Sequence, residues 1–322
     1  MNRFIAATLA LPSAAPVAAA PVLDPALRHY QPRGFAAPGA TVRIVGYNDM
    51  HDMLEPIVRR FELVHPDVAI ELDLPGNRFA PPALAIGDSE LAPMGAEFTP
   101  PQMVVYRACT GDDPIAFRVA HTSLDARALS GPLAILVHRD NSLPSLSLAQ
   151  VRRAFCGAAR TWGEFGLAGA WSETPIVTYG LEADTALAHD VRRRALGSAD
   201  FSPALRVCAQ SADVVAGVGS DPLGIGFAAA MRTTPEARAL PIAAKDGMEL
   251  VALTVQNLLA ARFPFDRYLL IYARSPISAF AREFLRLVLS RDGQQAIADS
   301  PQRYLPLSAA EAAAELHKLL DQ

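Results

Sequence analysis

Histidines, acids, hydroxyls and thiols are the side chains through which this chain could do chemistry, and their spacing is poor for it. His51 and Asp52 are adjacent, and adjacent side chains on a helix point apart, so the pair is a weak chelate. His121, Ser123 and Asp125 supply the residue types of a hydrolytic triad. No G-x-S-x-G elbow, Walker loop or H-E-x-x-H motif accompanies them. Gly217-Val218-Gly219 is not a dinucleotide fingerprint: Pro222 stands where the third glycine would be, and the stretch follows a helical pattern rather than a strand. Cys109, Cys156 and Cys208 have no zinc or redox spacing. An oxidising compartment would permit one disulfide among them, and buried free thiols are the default. Neither enzymatic activity, nor a cofactor, nor a metal site is expected.

Composition narrows the partners. The 322 residues are 51% hydrophobic, ample for two cores, with a formal net charge of −4. No basic stripe appears, so a nucleic-acid partner is not expected. Arg192-Arg193-Arg194 reads as a solvated helix face. At the N-terminus, Arg3, the apolar run Phe4 to Leu11 and the small residues Val17-Ala18-Ala19 have the form of a signal peptide over residues 1–19. A disordered Ala/Pro leader is the alternative. Pro12 and Pro16 argue against a membrane-spanning helix there, and no span is expected in the mature chain. The Pro/Ala-rich residues 20–40 read as a linker.

Periodicity then places the elements. Thr41 to Val45 alternates as a strand, with Asn48 or Asp49 as N-cap of the helix that follows. Met50, Met53, Leu54, Ile57, Phe61 and Val64 mark that helix's buried face, with Pro56 inside it. Val68, Ile70 and Leu72 alternate as the next strand, which completes a βαβ unit. A short helix is expected around Pro82 to Ile86. Pro132 to Val137 is a buried strand, and Ser147 with Gln150 is a capping box for a helix ending at Gly157. Pro175 to Tyr179 is a strand, followed by a helix over Thr185 to Leu196. Ser211 is expected to cap another helix, and Gly224-Ile225-Gly226-Phe227 to form a strand. Tyr268 to Tyr272 is an apolar return strand. Ser275-Pro276 opens one long helix through Leu289, and Ala309 to Leu320 forms a terminal helix.

Five blocks, in order, resemble the PstS-type periplasmic phosphate-binding proteins of ABC transporters. They are GYNDMHDMLEPIVRRFELVHPDVAIEL, GNRFAPPALAIGDSELAPMGAEF, PIVTYGLEADTALAHDVRRRALGSADFSPALRV, DPLGIGF and AREFLRLVLSRDGQQAIADSPQRYLPL. The strand, turn, capped helix and Trp162 within residues 130–162 are similar to the family's lobe-crossing segment. The resemblance covers nearly all of residues 41–307. It implies an α/β, two-lobed periplasmic-binding-protein fold of type II, with crossings near Pro132 to Val137 and Tyr268 to Tyr272. Lobe one would take residues 41–130 plus 262–322, and lobe two residues 131–261. It implies an exported, periplasmic, monomeric protein that captures a small molecule or anion, by resemblance phosphate or another oxyanion, for an ABC permease.

The family's site closes helix N-termini, hydroxyls and one arginine on a tetrahedral anion, and this chain departs from it. Tyr47 and Asp49 stand where the family has Ser and Thr before Met. Gly76-Asn77-Arg78-Phe79 replaces a hydroxyl-rich run. Leu181 falls on the family's arginine, and Asp184-Thr185-Ala186-Leu187 on its Gly-Ser-Gly-Thr. Glu90 stands where the family often has Asp or Gln. The candidate ligand-binding residues are therefore Asp49, Asn77, Arg78, Glu90 and Thr185, of which Thr185 alone matches the family in type. Asp49, Glu90, Glu182 and Asp184 would gather acid at the cleft with Arg78 as the nearby cation. The competing reading makes Asp49 and Asp184 simple helix caps. Loops so altered are expected to hold phosphate no tighter than millimolar. A periplasmic sensor or interaction module that kept the fold and lost anion binding is the alternative function.

Overall fold

The computed structural model describes residues 23–36, 39 and 41–320. The expected leader, residues 1–19, lies outside the described residues. The chain starts its first lobe with β1 (Val42–Val45) and a 3-10 turn over Asn48–Met50, which leads into α1 (His51–Val64). Met53, Leu54, Ile57 and Phe61 are the buried face of α1, as their spacing predicts, and the helix runs on through Pro56. β2 (Ile70–Asp73) returns parallel to β1, with Val42 opposite Ile70. α2 (Ala80–Ile86) carries proline in its first turn, where a missing N–H leaves no bond unmade, and stops at Gly87 in the left-handed conformation. β3 (Leu91–Met94), α3 (Pro100–Thr110) and β4 (Ile115–His121) complete this part.

The chain then crosses into a second group of strands. β5 (Leu133–His138) is buried at all six positions, as its apolar run predicts. β6 (Leu146–Ser147) feeds α4 (Leu148–Phe155), and Ser147 and Gln150 form the expected reciprocal cap. β7 (Val177–Leu181) is followed by α5 (Ala186–Val191), which continues as a π turn over Arg192–Leu196. After β8 (Arg206–Cys208) comes α6 (Ser211–Ser220), then β9 (Gly224–Ala229), β10 (Ala237–Ala239), β11 (Ile242–Ala243) and α7 (Val255–Leu259). The main sheet has the order β10-β5-β9-β7-β8, and β6 pairs with β11. Ser211 is not the cap of α6: Gln210 takes that place with Asp213, and Ser211 Oγ accepts instead from the Ala229 N–H.

β12 (Tyr268–Ala273) carries the chain back and inserts between β3 and β4, antiparallel to both. The single long helix expected next is two, α8 (Ala279–Val288) and α9 (Arg291–Ala298), each opened by its own serine cap, Ser278 and Ser290. α10 (Ala309–His317) follows. Phe61 of α1 meets Phe280 and Phe284 of α8 edge-on, at centroid distances of 5.6 and 5.4 Å, so α8 packs on α1.

The linker expectation fails for residues 23–36. Leu23, Leu27 and Tyr30 are buried in the core. Tyr30 Oη donates to Glu283 at 2.7 Å, the Arg33 N–H donates to the same carboxylate at 2.8 Å, and Asp24 accepts from the Ala309 N–H. Three apolar anchors and a buried acceptor on α8 outweigh a composition that reads as unstructured. Tyr30→Phe removes the hydrogen bond to the buried Glu283 carboxylate and the one with His65 Nε2 at 2.8 Å, and should lower the unfolding free energy by about 1.5–3 kcal/mol. Urea denaturation checks this, and an unchanged midpoint would mean that the leucines and the bonds of Arg33 and Asp24 hold the segment without the phenol hydroxyl.

Candidate functional site

The loop after β1 sets the floor of the candidate site. Gly46 is required there because a Cβ would lie 2.6 Å from the Pro93 carbonyl oxygen. That approach lets the Tyr47 N–H donate to Pro93 O at 2.9 Å, which joins the first loop to the end of β3. The Tyr47 ring turns inward and is buried. Burial pushes its hydroxyl up to about 12. Its edge lies against Gly95, where a Cβ would come within 2.4 Å of the ring. Ser130 Oγ is 3.2 Å from Tyr47 Oη. A phenol ring thus fills space beside β3 at a position where the resemblance implies a small hydroxyl donor.

The five candidate ligand residues do not converge as a set. Asp49 is buried, and its carboxylate is met by the protein: its Oδ2 accepts from Tyr304 Oη and, at 2.8 Å, from the Leu129 N–H. It makes no side-chain cap, which removes the capping alternative as well. Its bond raises the Tyr304 hydroxyl far above its ordinary value, after burial the largest cause. Asn77 Oδ1 accepts from the Gly95 N–H at 2.8 Å and so belongs to the same floor. Arg78 is exposed, with its guanidinium 4.7 Å from the Phe79 ring centroid. Glu90 accepts from Ser278 Oγ at 2.8 Å and faces the start of α8. Thr185 is the N-cap of α5: it donates to Glu182 O at 2.7 Å and accepts from the Ala188 N–H. Glu182 and Asp184 are exposed. Leu181 and Leu187 are buried and apolar.

Other groups, which sequence reasoning did not single out for the site, tie the lobes together. Arg267 is only 7% exposed. Its Nε donates to Asp190 Oδ2 at 2.6 Å, Nη1 to Gly131 O at 3.1 Å and Nη2 to Gly95 O at 3.2 Å. Arg193 lies 3.1 Å from Glu97 and 3.0 Å from Asp190. Arg194 Nη1 donates to Pro264 O at 2.8 Å. The arginine triplet is therefore not a solvated face: the π turn that ends α5 directs two of its members at the boundary between lobes. Asp266-Arg267 just before a run of apolar strand residues was the available signal, because a charge pair entering a buried strand needs partners.

The triad candidate also resolves differently. His121 is fully buried; its Nδ1 is 2.6 Å from Asp266 and its Nε2 3.3 Å from Glu311. Ser123 Oγ accepts from the Asp125 N–H, and Asp125 pairs with Arg127. His51 and Asp52 are exposed, 3.6 Å apart. The three cysteines are free, with Cys109 exposed and the other two partly exposed, so the expectation of buried thiols is not met. Among the described residues no grouping of His, Cys, Asp and Glu has the form of a metal site, and no helix is long and apolar enough to cross a membrane.

The geometry can be set beside known proteins. The chain matches no family model. The phosphate-binding protein PstS from two Pseudomonas aeruginosa strains is 29% identical to it over 326 residues, which covers 97% of this chain and 98% of that protein. An ABC-type phosphate transport receptor from Vibrio cholerae superposes with a TM-score of 0.57 at 16% identity, over 82% of this chain and 99% of that one. PstS from Borrelia burgdorferi gives the same TM-score at 12% identity, over 83% and 99%. The chain is PstS-like and has the two-lobed type II fold. On this PstS-like frame the residues at the loop ends are engaged with the protein itself.

Two outcomes follow from these contacts. Asp49→Ala strips the acceptor from Tyr304 Oη and the Leu129 N–H, and should cost about 2–3 kcal/mol in urea unfolding; a loss below about 1 kcal/mol would show that water replaces the carboxylate. For His121, burial alone lowers the pKa, but the hydrogen bonds to Asp266 and Glu311 override it and raise the ring to about 9. A raised pKa stabilises fully below the unfolded value of about 6.5 and is lost as pH rises through about 9, up to about 3 kcal/mol in all. Unfolding at about pH 6 and about pH 10 should show a larger alkaline loss in the wild type than in His121→Gln. Equal losses would refute the charged state.

Proposed function

We propose that this chain is an exported, periplasmic solute-binding protein that captures a small solute between two lobes, as a monomer, and delivers it to an ABC permease. The observation that carries the reading is the likeness to PstS along 97% of the chain, together with the two-lobed fold. We take residues 1–19 as the signal peptide, residues 41–130 with 262–322 as lobe one, and 131–261 as lobe two. The ligand class by likeness is phosphate or another oxyanion. The loops that resemble the family's site supply little for it. Leu181 brings no charge, Tyr47 occupies space, and the Asp49 carboxylate disfavours a second negative group nearby.

One observation favours the second reading, a sensor or interaction module. Arg267 and Arg193 join Asp190 directly to Gly95 and Glu97. A fold that ties itself shut has less need of a ligand to close it.

A thermal-shift screen of the ligand-stripped mature protein with oxyanions, amines and sugars separates the two. Capture of a solute should raise the unfolding midpoint, because a ligand at about 100 times its dissociation constant adds roughly 2.7 kcal/mol. A flat response across all three classes, repeated by calorimetry, would sink solute capture and leave the interaction module.

A further inference from the structure

A small cavity opens where the two lobes meet, and its charges do not cancel. It is about 50 Å³ in volume and is lined by Glu97, Arg118, Asp190, Arg193, Arg194 and Arg267, with Tyr268 alongside. Only roughly 10–15 Å³ of such volume is needed to admit a water, so a small oxyanion has room. Glu97, Arg118 and Tyr268 come from the first lobe, Asp190, Arg193 and Arg194 from the second, and Arg267 from the segment entering β12. An occupant would touch both lobes at once.

The two carboxylates are already committed. Asp190 accepts from Arg267 at 2.6 Å and from Arg193 at 3.0 Å, and Glu97 faces Arg193 at 3.1 Å. That leaves Arg194 and Arg118. Arg194 is nearest to Asp190 at 3.9 Å through Nε, beyond hydrogen-bond range, and that Nε is a buried donor with no partner. Burial lowers the Arg194 pKa, against the pull of the Asp190 carboxylate. Arg118 makes no ion pair among the described residues; its guanidinium stacks 4.6 Å from the Tyr268 ring centroid. A buried guanidinium donor left unmade is costly, and the ligand that meets it best is an anion with several oxygens.

We propose that this inter-lobe arginine cavity, and not the loops at Asp49, Asn77 and Thr185, is where the protein takes a small oxyanion of the phosphate or sulfate class. This rests on the solute-capture reading and names its ligand class and residues. The site offers donors from Arg194 and Arg118, while its two carboxylates are held by Arg193 and Arg267. It has no uncommitted acceptor for the proton of a monohydrogen anion, so it does not tell phosphate from sulfate. Bridging both lobes, the anion adds to the ties of Arg267 and Arg193.

Calorimetry of the full mature chain in low-salt, oxyanion-free buffer tests this with inorganic phosphate and sulfate as probes. The two ions should bind within about threefold of each other, at one site. Arg118→Gln, an exposed change that leaves the fold intact, should weaken both by about tenfold, and Arg194→Gln by at least as much. Leu181→Arg in the family-like loop should leave the affinity within about threefold of wild type. Binding that ignores Arg118→Gln and folded Arg194→Gln, or that Leu181→Arg strengthens tenfold, would return the site to the loops and overturn the proposal. If neither ion binds while an amine or sugar does, this inference falls and solute capture stands. If no solute binds, both fall.

Discussion

The buried guanidinium of Arg267 is the interaction on which the arrangement of the lobes depends. A charge that is 7% exposed is tolerable only with a counter-charge and with its remaining donors met. The chain supplies these from three places: Asp190 at the end of α5, Gly131 at the first crossing and Gly95 at the end of β3. Each lies in a different stretch of sequence, so one side chain fixes the relative position of the two lobes and the segment between them. Removal of any one partner leaves an unmet donor in a poorly solvated place. The geometry is therefore set by what Arg267 cannot do without.

Around that point the close approaches of backbone are all made possible by missing side chains. Gly46 lets the first loop reach Pro93, and Gly95 leaves room for the edge of the Tyr47 ring within reach of Ser130. Asn77 then bonds Gly95 from the second loop. Substituting Tyr for a small hydroxyl residue is not a local change under these constraints. It needs the glycine opposite, and it brings with it an aromatic wall that no small donor would provide. Asp49 shows the same logic from the other side: its carboxylate is met by the Tyr304 phenol and a backbone N–H, which is a self-contained pair rather than an open donor set.

Much of the fold was legible because periodicity reports burial directly. The face of α1, the all-buried β5 and the Ser147–Gln150 cap follow from spacing alone. The misreadings have physical causes. Residues 23–36 look unstructured by composition, yet Leu23, Leu27 and Tyr30 are buried, with Tyr30 bonded both to His65 at the end of α1 and to Glu283 of α8, partners far away in sequence. α8 and α9 read as one helix because the apolar stripe continues across Ser290, whose capping role shows only in three dimensions. The site was less legible than the fold. Asp49, Asn77, Glu90 and Thr185 were chosen for their places at the ends of elements, but such a position does not say whether a side chain faces a cleft or its own backbone. Arg267, Arg193 and Arg118 were not picked out for the site, because Gly95, Glu97 and Tyr268, the partners that bring them to the boundary, are far away in sequence.

The balance of charge between the two places explains why the loops and the boundary differ. At the loops, the one buried charge is the Asp49 carboxylate, which a phenol and an amide satisfy without neutralising it. An anion roughly 6 Å from that carboxylate would be repelled by about 3 kcal/mol at an effective dielectric of about 20. Leu181 offers nothing to offset this, and its burial against the sheet makes it a packing residue. At the boundary the sign reverses: four guanidiniums face two carboxylates, and the two surplus cations are Arg118 and Arg194. The family-like loops and the lobe boundary are neighbours through Gly95, which contacts Tyr47 on one side and accepts from Arg267 on the other. With a ring filling the first and cations gathered at the second, the site we propose for an anion lies across a single glycine from the family-like loops.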